Sequence, residues 1–285
     1  QSMKHSLFTL LLIFTFSQSA QGQKAAYQIY QSNGKTSSYN KLLKKAKKAD
    51  IILFGELHDN PINHWLQLEL SKDLLSDKLI MGAEMMESDN QVVVDEYLAG
   101  WISSKKLIEE SKTWPNFTTD YLPLMALAQS NGIPFIATNI PRRYASIVYS
   151  HGLDTLNHLS SKALGWIAPL PIALDTAAAS YQEMLAMGMG HGGDNLPKSQ
   201  AIKDATMAHF ILEYWQDGSQ FIHFHGTFHS KWHEGICWQL LQQDPKLNIL
   251  TIASHSQDHI QTLDSSQVNM ADFILVTPTN MTSTK

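Results

Sequence analysis

Ile51-Ile52-Leu53-Phe54-Gly55-Glu56-Leu57-His58-Asp59-Asn60-Pro61 is the stretch that decides the fold. Four consecutive apolar residues, three of them β-branched or aromatic, read as a strand buried on both faces. Gly55 ends the apolar run and a polar turn follows. Asn60 is an N-cap and Pro61 occupies the first helical position, where its missing N–H costs nothing. Ile62, Leu66, Leu70 and Leu74 then recur on one helical stripe. A buried strand that runs through a short turn into an amphipathic helix opens a βα unit.

The pattern repeats outward from this unit. Ile51–Phe54, Leu79–Ala83, Ile133–Thr138, Phe221–Phe224, Ile249–Ala253 and Phe273–Thr277 read as strands. Helices are expected at Tyr39–Lys48, from Pro61, at Tyr121–Ser130, Pro141–Ser150, Lys198–Trp215 and Ser230–Gln242. Alternating strands and helices predict an α/β fold, a mostly parallel sheet flanked by helices. Two stretches interrupt the alternation as helical insertions, about residues 92–117 and 153–197. The rest of 23–285 is expected to form a single α/β domain. The lysines of the first helix, Lys41, Lys44, Lys45, Lys47 and Lys48, read as a solvated face in preference to a binding patch.

Composition narrows the function. The 285 residues carry 21 Lys+Arg and 26 Asp+Glu, a formal charge of −5, with 44% hydrophobic and 16% charged residues. That balance suits a globular core and argues against a nucleic-acid surface. A single cysteine, Cys237, excludes intrachain disulfides and cysteine metal clusters. At the N-terminus, Lys4 and His5 precede the apolar run Leu7–Phe16, and Ala20-Gln21-Gly22 follows. This is the pattern of a Sec signal peptide over residues 1–22. It predicts an exported protein, periplasmic or outer-membrane-associated. No cysteine follows the run, so N-terminal lipidation is not expected. No other apolar run is long enough to span a bilayer.

In an open parallel sheet, ligands bind beyond the carboxyl ends of the strands. The residues delivered there are unusually chemical: Glu56, His58 and Asp59, with His64 a turn further on, then Glu84 and Glu87, then Asn139, Arg142 and Arg143. His225, Thr227 and His229 follow, then His255 and Thr277. A shared cleft of imidazoles, carboxylates and guanidinium is the inference. The stretch His223–His233 holds four histidines, interleaved with Phe224, Phe228 and Trp232. Alternation places His223 and His225 on one strand face, and a helix begun there would place His229 and His233 together. This density points to metal, haem or acid–base chemistry. The chain lacks H-E-x-x-H, G-x-S-x-G, P-loop, G-x-G-x-x-G and C-x-x-C-H patterns.

Gly55-Glu56-Leu57-His58 and Gly226-Thr227-Phe228-His229 are two G-x-x-H segments, each at a strand end. With Gly82-Ala83-Glu84-Met85, Tyr97-Leu98-Ala99-Gly100, Trp114-Pro115-Asn116-Phe117, Tyr121-Leu122-Pro123-Leu124 and Asn139-Ile140-Pro141-Arg142-Arg143, they resemble the Tiki/TraB/erythromycin-esterase-like superfamily. Within it the chain looks most like the ChaN-like haem-binding uptake proteins, over about residues 50 to 240. The resemblance implies non-covalent haem binding in bacterial iron acquisition and an outer-membrane haem receptor as a companion; the lipidated cysteine of lipoprotein relatives is lacking here. Tyr181, His191 or a histidine of 223–233, including His225 and His229, is the axial candidate; His58 and His64 belong to the same binding set. Arg142 and Arg143 are candidates for the propionates. The Met- and Gly-rich stretch Tyr181–Gly193 suits a clasp over a flat macrocycle. A flat ligand with an exposed face would favour a homodimer. The Tiki-like alternative is a hydrolase in which His58, His229 and Glu56 hold a divalent metal ion. A third reading makes Glu56 and Glu84 catalytic acids and bases in releasing iron from haem.

Overall fold

The computed structural model describes residues 24–187, 193 and 195–284. The expected leader (residues 1–22) and His191 lie outside them. The strands are β1 (Gln28–Gln31), β2 (Thr36–Ser37), β3 (Ile51–Glu56), β4 (Leu79–Glu87), β5 (Phe135–Asn139), β6 (Gln220–Gly226), β7 (Ile249–Gln257) and β8 (Phe273–Pro278). Helices α1 (Tyr39–Ala46), α2 (Pro61–Asp73), α3 (Gln91–Leu98), α4 (Ser104–Glu110), α5 (Phe117–Asp120) and α6 (Leu122–Asn131) belong to the first half. The second half has α7 (Arg142–His151), α8 (Ser161–Leu164), α9 (Ala179–Met187), α10 (Asn195–Tyr214) and α11 (Ile236–Gln243).

One eight-stranded sheet runs in the order β2-β1-β8-β7-β3-β6-β4-β5. The six expected strands are parallel to one another, with β3 in the middle between β7 and β6. The fold is therefore α/β, mostly parallel and flanked by helices. An antiparallel hairpin, β1 with β2, extends the β8 edge. The sequence reading did not contain this hairpin, because β2 is two polar residues long.

Strand alternation distributes β3 between two cores. Ile52 and Phe54 pack on one face with Leu66 and Leu70 of α2, Met81, Ile222 and Phe224. Ile51 and Leu53 pack on the other with Met207 and Ile211 of α10 and Ile236 and Leu240 of α11. All four β3 residues are buried, each worth about 1.5–3 kcal/mol of transfer free energy. The start of α2 is as expected. Asn60 Oδ1 accepts from the backbone N–H of Ile62 (3.1 Å) and Asn63 (3.3 Å), and Asn60 Nδ2 donates to Thr277 Oγ1 (2.8 Å). Helix α6 stops at Gly132 in the left-handed conformation, φ 64°. No helix of the described residues is long and apolar enough to cross a membrane.

One expectation is corrected. The helix after β6 does not begin at Ser230. Two 3-10 turns, Thr227–His229 and Lys231–His233, come first, and α11 starts at Ile236. Trp232 (φ 57°), His233 (φ 60°) and Gly235 (φ 54°) take left-handed backbone that no α-helix accommodates. His229 is consequently buried while His233 points to the half-exposed Asp272, so the two do not share a face.

Candidate functional site

The carboxyl ends of β3, β4, β6 and β7 open into a cleft of about 600 Å³. Its walls include Glu56, His58, Glu84, Gly226, Phe228, His229 and His255, with Met184 of α9, Lys203 of α10 and Met270 closing it. The two G-x-x-H segments interlock at its floor. A Cβ on Gly55 would lie 2.9 Å from Thr227 Cα, and a Cβ on Gly226 would lie 2.7 Å from His58 Nε2. Each glycine makes room for the other segment, which explains why glycine stands at or next to the end of both strands.

Two imidazole–carboxylate sets line this floor. In the first, Glu56 Oε1 accepts from Tyr121 Oη (2.6 Å) and from His58 Nδ1 (3.0 Å), and Oε2 accepts from Gln67 Nε2 (2.5 Å). Glu56 is buried, whereas the His58 side chain is 43% exposed and reaches from it into the cleft. With Nδ1 fixed, His58 Nε2 makes no hydrogen bond among the described residues. Burial lowers the His58 pKa, but the Glu56 hydrogen bond and the field of Glu84 outweigh it and the net direction is up. The Trp114 ring stands edge-on against His58 at 4.8 Å. His64, expected in the binding set, lies beneath Glu56. Its Nε2 meets the His58 carbonyl (3.0 Å) and Asp120 (3.3 Å), and its Nδ1 meets Gln67 (3.2 Å).

In the second set, His229 lies between two carboxylates. Nε2 is 3.1 Å from Glu84 Oε1 and Nδ1 is 2.5 Å from Asp204 Oδ1. Glu84 Oε2 also accepts from the Gly226 N–H (2.8 Å). Burial alone would push His229 down; Glu84 and Asp204 reverse this and lift it to about 9. Burial raises Glu84, but the imidazolium and the Gly226 N–H hold it well below the usual carboxylate range. His229 is thus drawn toward its protonated form in the cleft wall, while burial raises the pKa of its partner Asp204. Tyr181 Oη donates to Asp204 Oδ2 (2.8 Å), so this buried phenol is committed there and does not line the cleft.

The remaining expected residues lie elsewhere. His223 and His225 do share a strand face, with Nδ1 atoms 3.0 Å apart, but that face is interior. His223 bonds Thr138 Oγ1 and His225 bonds Ser230 Oγ (2.7 Å). His225 is fully buried and does not line the cleft. Burial lowers both imidazoles, His223 to about 3. Arg142 and Arg143 line a second depression with Glu87, Lys112 and Trp114. Arg143 pairs with Asp89 at 2.6 Å and lies over the Tyr144 ring. Of the expected clasp, α9 reaches the cleft through Glu183 and Met184, and residues 188–192 lie outside the described residues. Glu183 Oε2 accepts from Lys231 Nζ (2.5 Å), and Glu234 caps α9 through the N–H groups of Ala179 (2.8 Å) and Ser180 (2.7 Å).

The metal reading placed a divalent ion on His58, His229 and Glu56. Among the described residues, no group of three His, Cys, Asp or Glu side chains is arranged to hold one. The reason is local: Glu56 is spent on Tyr121, Gln67 and His58, and both His229 nitrogens are spent on carboxylates. Sequence reasoning missed Asp204, Lys203, Lys231, Tyr121 and Gln67. The available signal for Asp204 was Gln200 and Asp204, four apart, amid the buried run of α10.

Fold and site together define an α/β protein with a carboxyl-edge cleft built from paired glycine–histidine turns. The chain belongs to the haem-binding uptake family, Tiki superfamily, ChaN, whose model matches residues 42–240. Among solved structures it is similar to ChaN of Campylobacter jejuni, described with cofacial haem binding. The identity is 17%, with 88% of this chain and 96% of that one covered at TM-score 0.66. A Bacillus cereus protein is similar at 11% identity, 89% and 95% coverage and TM-score 0.52. No curated protein matches the chain. At these identities the structural likenesses concern the fold alone.

Proposed function

We propose that the chain binds haem non-covalently in this cleft and serves bacterial haem and iron acquisition after export to the periplasm or outer membrane. The observation that carries the reading is the uncommitted Nε2 of His58. An axial ligand needs a fixed ring with a free donor nitrogen, and the Glu56 hydrogen bond supplies that orientation. The surrounding donor set fits the group. Leu57, Phe228, Met184 and Met270 offer apolar and thioether contact, and Lys203 offers a cation to a propionate. Lys203 takes the place that the sequence reading gave to Arg142 and Arg143. Iron held here would supply the absorbance that reports binding. An outer-membrane receptor that delivers haem, and a homodimer that covers its exposed face, belong to the same proposal.

Titration with hemin, followed in the visible spectrum, tests this. The expected result is a saturable Soret shift that His58→Ala weakens by about 10- to 100-fold. Absence of any saturable shift in the unmodified chain overturns the proposal.

A second reading, haem processing with iron release, is favoured by one observation, the His229 imidazolium held between Glu84 and Asp204. Such a group is a proton donor inside the cleft wall. Iron-free porphyrin after anaerobic reducing incubation with haem is its expected product, and its absence removes this reading while leaving binding intact.

A further inference from the structure

At the opposite edge of the sheet, where β3, β7 and β8 begin, lies a second concavity of about 430 Å³. Lys41, Lys45 and Lys48 line it. Lys41 and Lys45, four apart, share one face of α1, and Lys48 follows just past its end. Lysine near a helix C-terminus is explained by the helix dipole, which accounts for Lys44, Lys45, Lys47 and Lys48. It does not account for Lys41 in the first turn, nor for a depression beneath the stripe. All five lysines are exposed, but Lys44 and Lys47 do not line that depression.

The other walls are mostly hydrogen-bonding groups. Asn33 Oδ1 accepts from the Lys35 N–H (3.1 Å) and Asn269 Oδ1 accepts from Ser32 Oγ (3.2 Å). Both carboxamides therefore keep their amino ends as donors. Lys41 Nζ donates to the neutral Gln31 Oε1 (2.7 Å). None of the three lysines has an ion-pair partner among the described residues. The wall's one carboxylate, Asp272, accepts from the Thr251 N–H (2.9 Å) and Oγ1 (3.0 Å) and faces His233 at 3.7 Å. Three lysines and two carboxamides thus line one concave surface of a chain whose net charge is −5.

We infer that this lysine-lined depression binds a phosphate-type oxyanion, free in solution or as the headgroup of an anionic lipid. A phosphate group matches the site because its several oxygens accept from several donors at once and its charge is neutralised by clustered ammonium groups. The inference is independent of haem binding. The cleft lies at the far ends of β3 and β7, so an occupant of the depression leaves the cleft open. It revises the reading of α1 as only a solvated face.

The test uses the full chain at low ionic strength, where screening is least. One arm titrates inorganic phosphate by calorimetry. The other measures co-sedimentation with phosphatidylcholine vesicles that contain or lack phosphatidic acid. Saturable binding is expected in at least one arm, weakened about five-fold by each of Lys41→Gln, Lys45→Gln and Lys48→Gln. Lys44→Gln and Lys47→Gln are expected to change it by less than about two-fold. Response to vesicles alone assigns the lipid headgroup, and response to inorganic phosphate assigns the free ion. No binding in either arm overturns the inference. So do equal losses from all five substitutions, which would show diffuse charge in place of a site.

Discussion

His58 Nε2 lies 2.7 Å from the point that a Cβ on residue 226 would occupy, and its Cε1 lies 2.8 Å from it. The histidine of the first glycine-led turn therefore rests on the glycine of the second. Backbone and imidazole are in contact where a methyl group has no room. Glu84 Oε2, bonded to the same residue's N–H, comes within 3.7 Å of that point.

Gly226→Ala is expected to drive the His58 ring out of place with little loss of β6 itself. Hemin affinity should fall about 10- to 100-fold, as when groups that orient a ligand are changed. Absorbance titration beside a circular dichroism melt checks this. Affinity unchanged in a folded variant would show that the ring's position is immaterial.

Tyr121→Phe removes the phenol that donates to buried Glu56. The carboxylate loses one of its donors, which costs about 1–3 kcal/mol of stability. The same loss should make His58 a stronger partner for Glu56 and raise its pKa further. Urea unfolding measures the first effect, and histidine ring resonances followed against pH measure the second.

Above neutrality, stability is expected to decline because of His229. Its folded pKa, about 9, exceeds its unfolded value of 6.5, so its contribution is full below pH 6.5 and is lost as pH rises to 9. The slope from this group is at most about 1.4 kcal/mol per pH unit. Asp204→Asn removes one of the two carboxylates that hold the imidazolium and should flatten this alkaline limb. Denaturant unfolding between pH 6 and about 9.5 reads it. An unaltered limb in the variant would place the cause in another group.

Acid should destabilise the fold through the interior pair. His223 and His225 are held neutral, with folded pKa values below 6.5, so their contribution is full above pH 6.5. It is lost as pH falls from 6.5 toward about 3, the value for His223. Protonation of Glu84 adds to the loss below its ordinary range. Melting temperature measured between pH 7 and about 4 should fall throughout, and His223→Gln should reduce that fall.

The sheet was largely legible because its strands announce themselves. Ile51–Phe54 and Phe273–Thr277 are apolar runs bounded by polar turns, and all six such runs became parallel strands. The β1–β2 hairpin was illegible because Thr36 and Ser37 form no pattern. The cleft was legible in Glu56, His58, Glu84 and His229, which strand ends deliver to one place. Its reach was overstated at His225, whose alternation with His223 was read correctly. Period alone does not say which face is interior when helices cover both faces of a sheet. His233 stands apart from His229 because no helix has begun there: Gly235 takes φ 54° and a Cβ would collide with the His229 carbonyl. Asp204 was hidden for a different reason. Its partners, Tyr181 and His229, come from separate segments, and only tertiary packing brings them together.

The mutual seating of Gly55 under Thr227 and Gly226 under His58 works as a keyed joint. Neither half of the pocket exists until strands from distant parts of the chain have aligned in register. Local helix formation cannot build it in advance, and such non-local pairing is slow. A ligand of the cleft would therefore meet its full set of partners only in the finished fold, and a nascent or partly unfolded molecule would lack that set.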